Sequence, residues 1–222
     1  MIVTTAYMII ISIVIAAPVG IFAAIYLTEY AKQGVLVQII RFTTETLAGI
    51  PSIVYGLFGY IFFVLYLKMQ FSIIAAALTL SIMVLPTIIR TTEEAIKSVP
   101  VSYREGSFAL GAGRLSTLFR VILPSAIPGI LNAVILSIGR IVGESAVVIF
   151  TAGVALKAVN EVAINTSSRS LTVHMYMLAK EGKPLGQTFA TASVLIILVL
   201  IINFIATSLA SRLKKKTTGT SD

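Results

Sequence analysis

Two charged residues stand inside an apolar run where charge is costly. Arg140 and Glu144 lie in the stretch 126–150, which is otherwise mostly apolar. An arginine or acid at the centre of a membrane span costs about 2.5–3.5 kcal/mol on insertion scales, so such residues persist where they face a bundle interior or a water-filled path. Four residues apart on a helix they would share a face and could pair, although the arginine-first order is the weaker one. A guanidinium also donates two parallel bonds to an oxyanion. Arg140 then becomes a candidate anion contact, and Glu144 the group that holds Arg140 in place when the anion leaves. The structural alternative is a buried ion pair that fixes helix packing.

A second polar feature is Arg104-Glu105-Gly106-Ser107-Phe108-Ala109-Leu110-Gly111, followed by Val121-Ile122-Leu123-Pro124. Pro100 punctuates the chain and biases Val99 away from helix. Ser102 with Glu105 three residues later has the form of a capping box. Together they predict a short helix over 103–111, closed by Gly111. Such a helix between two spans can dock in a groove on a soluble partner and pass rigid-body movement to the spans. An ordinary basic cytosolic loop is the plainer reading of the same residues.

Catalysis lacks its parts. The chain has no cysteine and one histidine, His174, so thiolate metal sites and two-histidine zinc motifs are excluded. Glu144-Ser145 is the only adjacent acid and hydroxyl within a span, and no histidine lies in any span to act as base. No P-loop is present, and Gly111-Ala112-Gly113 lacks the preceding strand and third glycine of a dinucleotide loop. No catalytic residue, metal ligand or cofactor is assigned.

The elements that would position these residues are membrane helices. The chain is 57% hydrophobic and 12% charged, with mean hydropathy +0.99. Its apolar runs are continuous rather than alternating, which selects helices over a barrel. Five are near or above the length needed to cross: roughly 3–28, 46–67, 71–92, 126–150 and 188–210. They form a single all-α domain over 1–210, with a cytoplasmic loop at 93–125, an external loop at 151–187 and a basic tail at 211–222. Pro51 and Pro86 are candidate kinks. Gly139 and Gly143 form a small-xxx-small pair that predicts close helix packing, and Gly49, Gly56 and Gly59 also permit close approach.

Net charge is +8, which the positive-inside bias explains better than nucleic-acid binding. Lys32, Arg41, Arg90, Lys97, Arg104, Arg114, Arg120 and the tail cations Arg212, Lys214, Lys215 and Lys216 fall on one side. Lys68, Lys157, Arg169, Lys180 and Lys183 fall on the other. The first side is cytoplasmic by this rule, which puts the N-terminus outside and the C-terminus inside. An external N-terminus ordinarily needs a preceding span or signal. The topology therefore predicts a first helix outside this sequence, or a short member of its kind. The terminal lysines are a topology anchor and a possible contact to acidic membrane lipid. Glu93 and Glu94, at the cytoplasmic end of the third span, are expected to be solvated or paired with Lys97. His174 is expected at the outer interface, within an amphipathic segment over 171–181.

The loop resembles the docking loop of binding-protein-dependent ABC-importer permeases, of form Glu-Ala-Ala, three residues, Gly, nine residues, Ile-x-Leu-Pro. Glu105, Gly111, Leu123 and Pro124 occupy matching positions. The sequence departs at Gly106, Ser107 and Val121. Ala48 to Gly59, Gly139 to Ala146 with Phe150 to Gly153, and Leu171 to Gly182 are similar to segments of phosphate permeases of the PstA type. The resemblance covers nearly the whole chain except that family's usual first helix. It implies a type I ABC importer permease bundle in a bacterial inner membrane. It also implies pairing with a PstC-type permease, two ATP-binding subunits and an external phosphate-binding protein. Arg104 to Ser107, Gly111, Leu123 and Pro124 would then couple to the ATPase, and Arg140 with Glu144 would line the phosphate path. Sulfate or molybdate is the alternative cargo.

Overall fold

The computed structural model describes residues 1–158, 161–182 and 184–218, with backbone only at 209, 210 and 212–218. The described residues are mostly helical and hold no strand. Four helices are long and apolar enough to cross a membrane: Ile2–Tyr30, Ile73–Lys97, Arg114–Gly143 and Leu185–Ser208. A fifth candidate is a broken pair, Val35–Ala48 and Ser52–Tyr66, bent by 99°.

In chain order, α1 spans Ile2–Ile25 and ends in a π turn, Tyr26–Tyr30. Helix α2 is Val35–Ala48, and α3 is Ser52–Gly59 with a π turn over Tyr60–Tyr66. Helix α4 is Ile73–Lys97 and α5 is Val101–Ala109. Helix α6, Arg114–Thr117, runs through a π turn at Leu118–Ile122 into α7, Leu123–Gly143. Helices α8, α9 and α10 are Ala146–Thr151, Leu171–Lys180 and Leu185–Thr218.

The second span differs from the expected 46–67. The stretch 29–45 is not merely a polar connection, because most of it is the amphipathic helix α2, whose only buried residue is Val37. Gly49-Ile50-Pro51 then turns the chain through the bend. Pro51, lacking an N–H and fixed near φ −58°, stands as the N-cap of α3. Pro86 does not break its span: α4 is continuous through it. The fourth span begins earlier than 126 and stops earlier than 150, because α7 ends at Gly143 and Glu144 is extended. Leu123 N–H reaches back five residues to Leu118 O, so the ladder slips into π form just ahead of Pro124, which has no N–H to give. The segment 211–218 continues α10. The side chains of Arg212 and Lys214 to Lys216, residues 219–222, and Lys183 lie outside the described residues.

Helix α4 is the centre. Ile73, Leu80, Met83, Val84, Ile88 and Ile96 are fully buried on it, and Ser72 caps its start by accepting from Ala75 N–H at 3.3 Å. Lipid supplies little hydrophobic drive between spans, so close contact and interhelical hydrogen bonds hold them. Ser12 Oγ donates to Ala77 O at 3.0 Å and Ser81 Oγ to Ser12 O at 3.2 Å, joining α1 to α4. Thr172 Oγ1 donates to Val142 O at 2.7 Å, joining α9 to α7.

Glycines divide sharply. A methyl at Gly59 would overlap Thr79 and come within 2.8 Å of Thr151 Cγ2, and one at Gly56 would meet Val147 Cα at 3.1 Å. These two permit close approach as expected. A methyl at Gly139 or Gly143 would meet nothing within 4 Å, so the predicted small-xxx-small contact is not made within this chain. Gly143 instead marks the end of α7.

Candidate functional site

The loop between the third and fourth expected spans folds as a short helix, α5, clamped at both ends. It begins two residues before the expected start. Pro100 is its N-cap, and no side chain caps it, so Ser102 and Glu105 form no capping box. Its C-terminus is closed as expected. Ala112 N–H bonds Ser107 O at 3.1 Å and Gly111 N–H bonds Phe108 O at 2.9 Å, with Gly111 at φ +80°. This is a Schellman closure, which needs the left-handed conformation that glycine adopts without strain.

No residue of α5 is buried. Tyr103, Phe108 and Leu115 are exposed, and Leu110, just past the helix, is 90% exposed. Glu105 and Gly106 also point outward, and a side chain at Gly106 would meet nothing within 4 Å. Among the described residues Glu105 forms no ion pair. Arg104 and Ser107 point inward instead. Arg104 Nη1 lies 2.6 Å from Glu29 Oε1 and donates to Oε2 at 2.8 Å. Ser107 Oγ and Thr117 Oγ1 share a hydrogen bond at 2.8 Å. Leu123 packs on the buried cluster of Ile25, Ile96, Leu118 and Ile122. Pro124 faces Pro100 and Tyr103 across a cavity of about 340 Å³, so the two ends of the loop meet.

Beside this loop, Glu93 is almost fully buried and holds two cations. Arg41 Nη2 is 2.6 Å and Lys97 Nζ 2.8 Å from its Oε1. Glu94 pairs with Arg90 at 3.1 Å. The pairing of Glu93 with Lys97 follows from their i, i+4 spacing. Arg41 and Glu29 are contacts that local spacing does not reveal.

The charged residues at the end of α7 are arranged differently. Arg140 and Glu144 are half-buried, but they do not pair. Arg140 Nη1 donates to Thr87 Oγ1 of α4 at 3.3 Å, while Glu144 Oε1 accepts from Val147 N–H at 3.2 Å and caps α8. The helix break removes the shared face that i, i+4 spacing assumes. Each charge sits at the helix end that favours its sign: Arg140 in the last turn of α7, Glu144 at the start of α8. The guanidinium therefore has donors to spare, since Thr87 is its single hydrogen-bond partner among the described residues.

His174 lies in α9. Its Nδ1 is buried without a partner among the described residues. Burial, and then the positive charge of Arg169, hold its pKa below the ordinary histidine value.

Two solved structures of the MetNI methionine ABC transporter share the fold, one at TM-score 0.71 and 22% identity, covering 95% of this chain and 91% of that one. An amino acid ABC transporter matches at TM-score 0.67 and 18% identity over 97% of this chain. The Bacillus subtilis protein named "Probable ABC transporter permease protein YqgI" is 36% identical, covering 96% of this chain and 77% of that protein. The phosphate transport system permease protein PstA 1 of Mycobacterium tuberculosis is 36% identical over 87% of this chain. PstA of Mycobacterium leprae is 35% identical over the same share. The chain spans 64% of each of these two mycobacterial relatives. The profile of the binding-protein-dependent transport system inner membrane component family matches residues 16–217. With a match across most of its length, on the same bundle fold, the chain belongs to that family of multi-pass inner membrane permeases.

Proposed function

We propose that the chain is the PstA-type permease subunit of an ATP-driven phosphate importer. It pairs with a second, PstC-type permease, two ATP-binding subunits and an external phosphate-binding protein. The observation that carries the cargo is the likeness to phosphate permeases at 35–36% identity over 87% of the chain. The exposed apolar rim of α5, with Leu110 at 90% exposure, supports docking of an ATPase there. The chain itself contributes no catalytic group, and ATP is hydrolysed by the partner.

The mechanism is alternating access. Closure of the ATPases moves α5, the spans rock against those of the partner permease, and a path opens outward. Phosphate released by the binding protein reaches Arg140, whose spare donors suit a tetrahedral oxyanion. The attraction is modest, as release requires. Glu144 keeps its proposed place on the path, now as the cap that fixes the break beside Arg140. The cation distribution supports a cytoplasmic C-terminus and an external start.

The test is uptake of labelled phosphate into proteoliposomes holding the permease pair, the ATPases and the binding protein, with sulfate and molybdate as competitors. ATP-dependent uptake resistant to both is expected. Uptake of another solute removes phosphate, and leakage independent of ATP removes the importer.

A further inference from the structure

The end of α1 carries an acid that this mechanism does not use. Glu29 lies in the π turn Tyr26–Tyr30. Its side chain is 14% exposed, and that of Arg104 is 24% exposed. Arg104 reaches Glu29 through Nη1 and also donates through Nη2 to Ile96 O of α4, at 3.4 Å. One guanidinium thus joins α5, which carries it, to α1 and α4. Little else holds α5 to the bundle beyond its chain ends and the Ser107–Thr117 bond, since none of its residues is buried.

Beneath α5 is a cavity of about 240 Å³, lined among others by Glu29, Arg104, Phe108, Arg114 and Leu118. Two of its walls come from the π turns Tyr26–Tyr30 and Leu118–Ile122. A π turn is a place where the helical ladder has already slipped, and such turns concentrate at functional sites. The cavity gives α5 room to shift, the π turns give the adjoining helices compliance, and the ion pair sets what moves with it.

We propose that Glu29 and Arg104 form a tether that makes α1 follow the docking helix α5, so that Glu29 is a positioning residue for coupling. This rests on the reading that α5 docks on the ATPase. Without the tether, α5 moves under the ATPase while α1 lags behind. ATP is then hydrolysed with little transport. The pair is partly buried, so salt screens it less than an exposed pair.

The assembled importer in proteoliposomes tests this, with ATP hydrolysed per phosphate taken up as the readout. Glu29→Gln and Arg104→Gln should each raise that ratio by at least about fivefold, the lower end of linked-site coupling. The double variant should be no worse than either single. Unchanged ratios in the singles overturn the tether, as does a double variant whose loss is the product of the two.

A Leu110→Cys probe cross-linked to the ATPase separates the two claims. If wild-type coupling is intact but this probe never reaches the ATPase, the docking reading fails. If it cross-links and the singles stay coupled, the tether alone fails. Should the single variants not assemble, Glu29→Cys with Arg104→Cys serves, because the chain has no native cysteine. A short bifunctional thiol reagent should restore coupling, and failure to restore it in a cross-linked, assembled complex overturns the proposal.

Discussion

Arginine and glutamate meet at the α5 end of this bundle and stay apart within its fourth span. Arg104 and Glu29 are 75 positions apart in the chain and bond at 2.8 Å. Arg140 and Glu144 are four apart and bond to Thr87 and Val147 instead. The difference lies in the backbone. Continuous helices bring the ends of α1, α4 and α5 to one corner, where opposite charges close on each other. In the fourth span the helix stops at Gly143, so the two side chains leave from different elements. The first region is built to be held. The second leaves a guanidinium available, which a cargo site needs and a structural clamp does not.

The sharpest way to break this contrast is Arg140→Ala. Phosphate uptake should fall about 10- to 100-fold, the worth of one charge-assisted hydrogen bond of ~1.5–3 kcal/mol, in a complex that still assembles. Normal uptake would return Arg140 to a structural role.

Next come two glycines. Gly59→Leu should destabilise the bundle by about 1–3 kcal/mol through overpacking, read as a lower unfolding midpoint in detergent, because Thr79 and Thr151 already fill the space. Gly106→Leu should stay within about 0.5 kcal/mol of the parent and show its effect only as lost ATPase co-purification. Equal destabilisation by both would mean that Gly106 is packed within its own chain.

Glu144→Ala removes a helix cap and should cost ~1 kcal/mol, with Arg140 left where it is. If it abolishes uptake as fully as Arg140→Ala, the two residues act as one unit after all.

The smallest effect is at α9. His174 has its pKa held down, so its folded-state stability contribution is present above the ordinary value of 6.5 and is lost as pH falls through the lowered value. Thermal stability should therefore decline below about pH 6.5, and His174→Gln should flatten that part of the profile.

The sequence makes some of this arrangement plain and hides the rest for physical reasons. Apolar runs locate the spans because no other signal competes with 20 residues of hydrocarbon-compatible side chains. Gly111 is legible as a helix stop because few other residues take φ +80°. Helix α2 is harder, since its polar face, with Gln38, Arg41 and Glu45, reads as a connection while Val35, Leu36, Ile39 and Phe42 make the other side apolar. Gly139 and Gly143 read as a packing pair, yet Gly143 proves to be punctuation. The signal for the break, a glycine followed by a capping acid, was present in Gly143-Glu144. Partners such as Glu29 and Arg41 depend on tertiary approach and leave no local spacing to find.

The central claim is that docking and cargo handling occupy separate regions. It is tested most directly by measuring ATPase retention and phosphate uptake on the same preparations of two variants, Leu110→Asp and Arg140→Ala. The account predicts that Leu110→Asp loses the ATPase, while Arg140→Ala keeps it and loses uptake. Full uptake by Arg140→Ala, or loss of the ATPase from both variants alike, would contradict it.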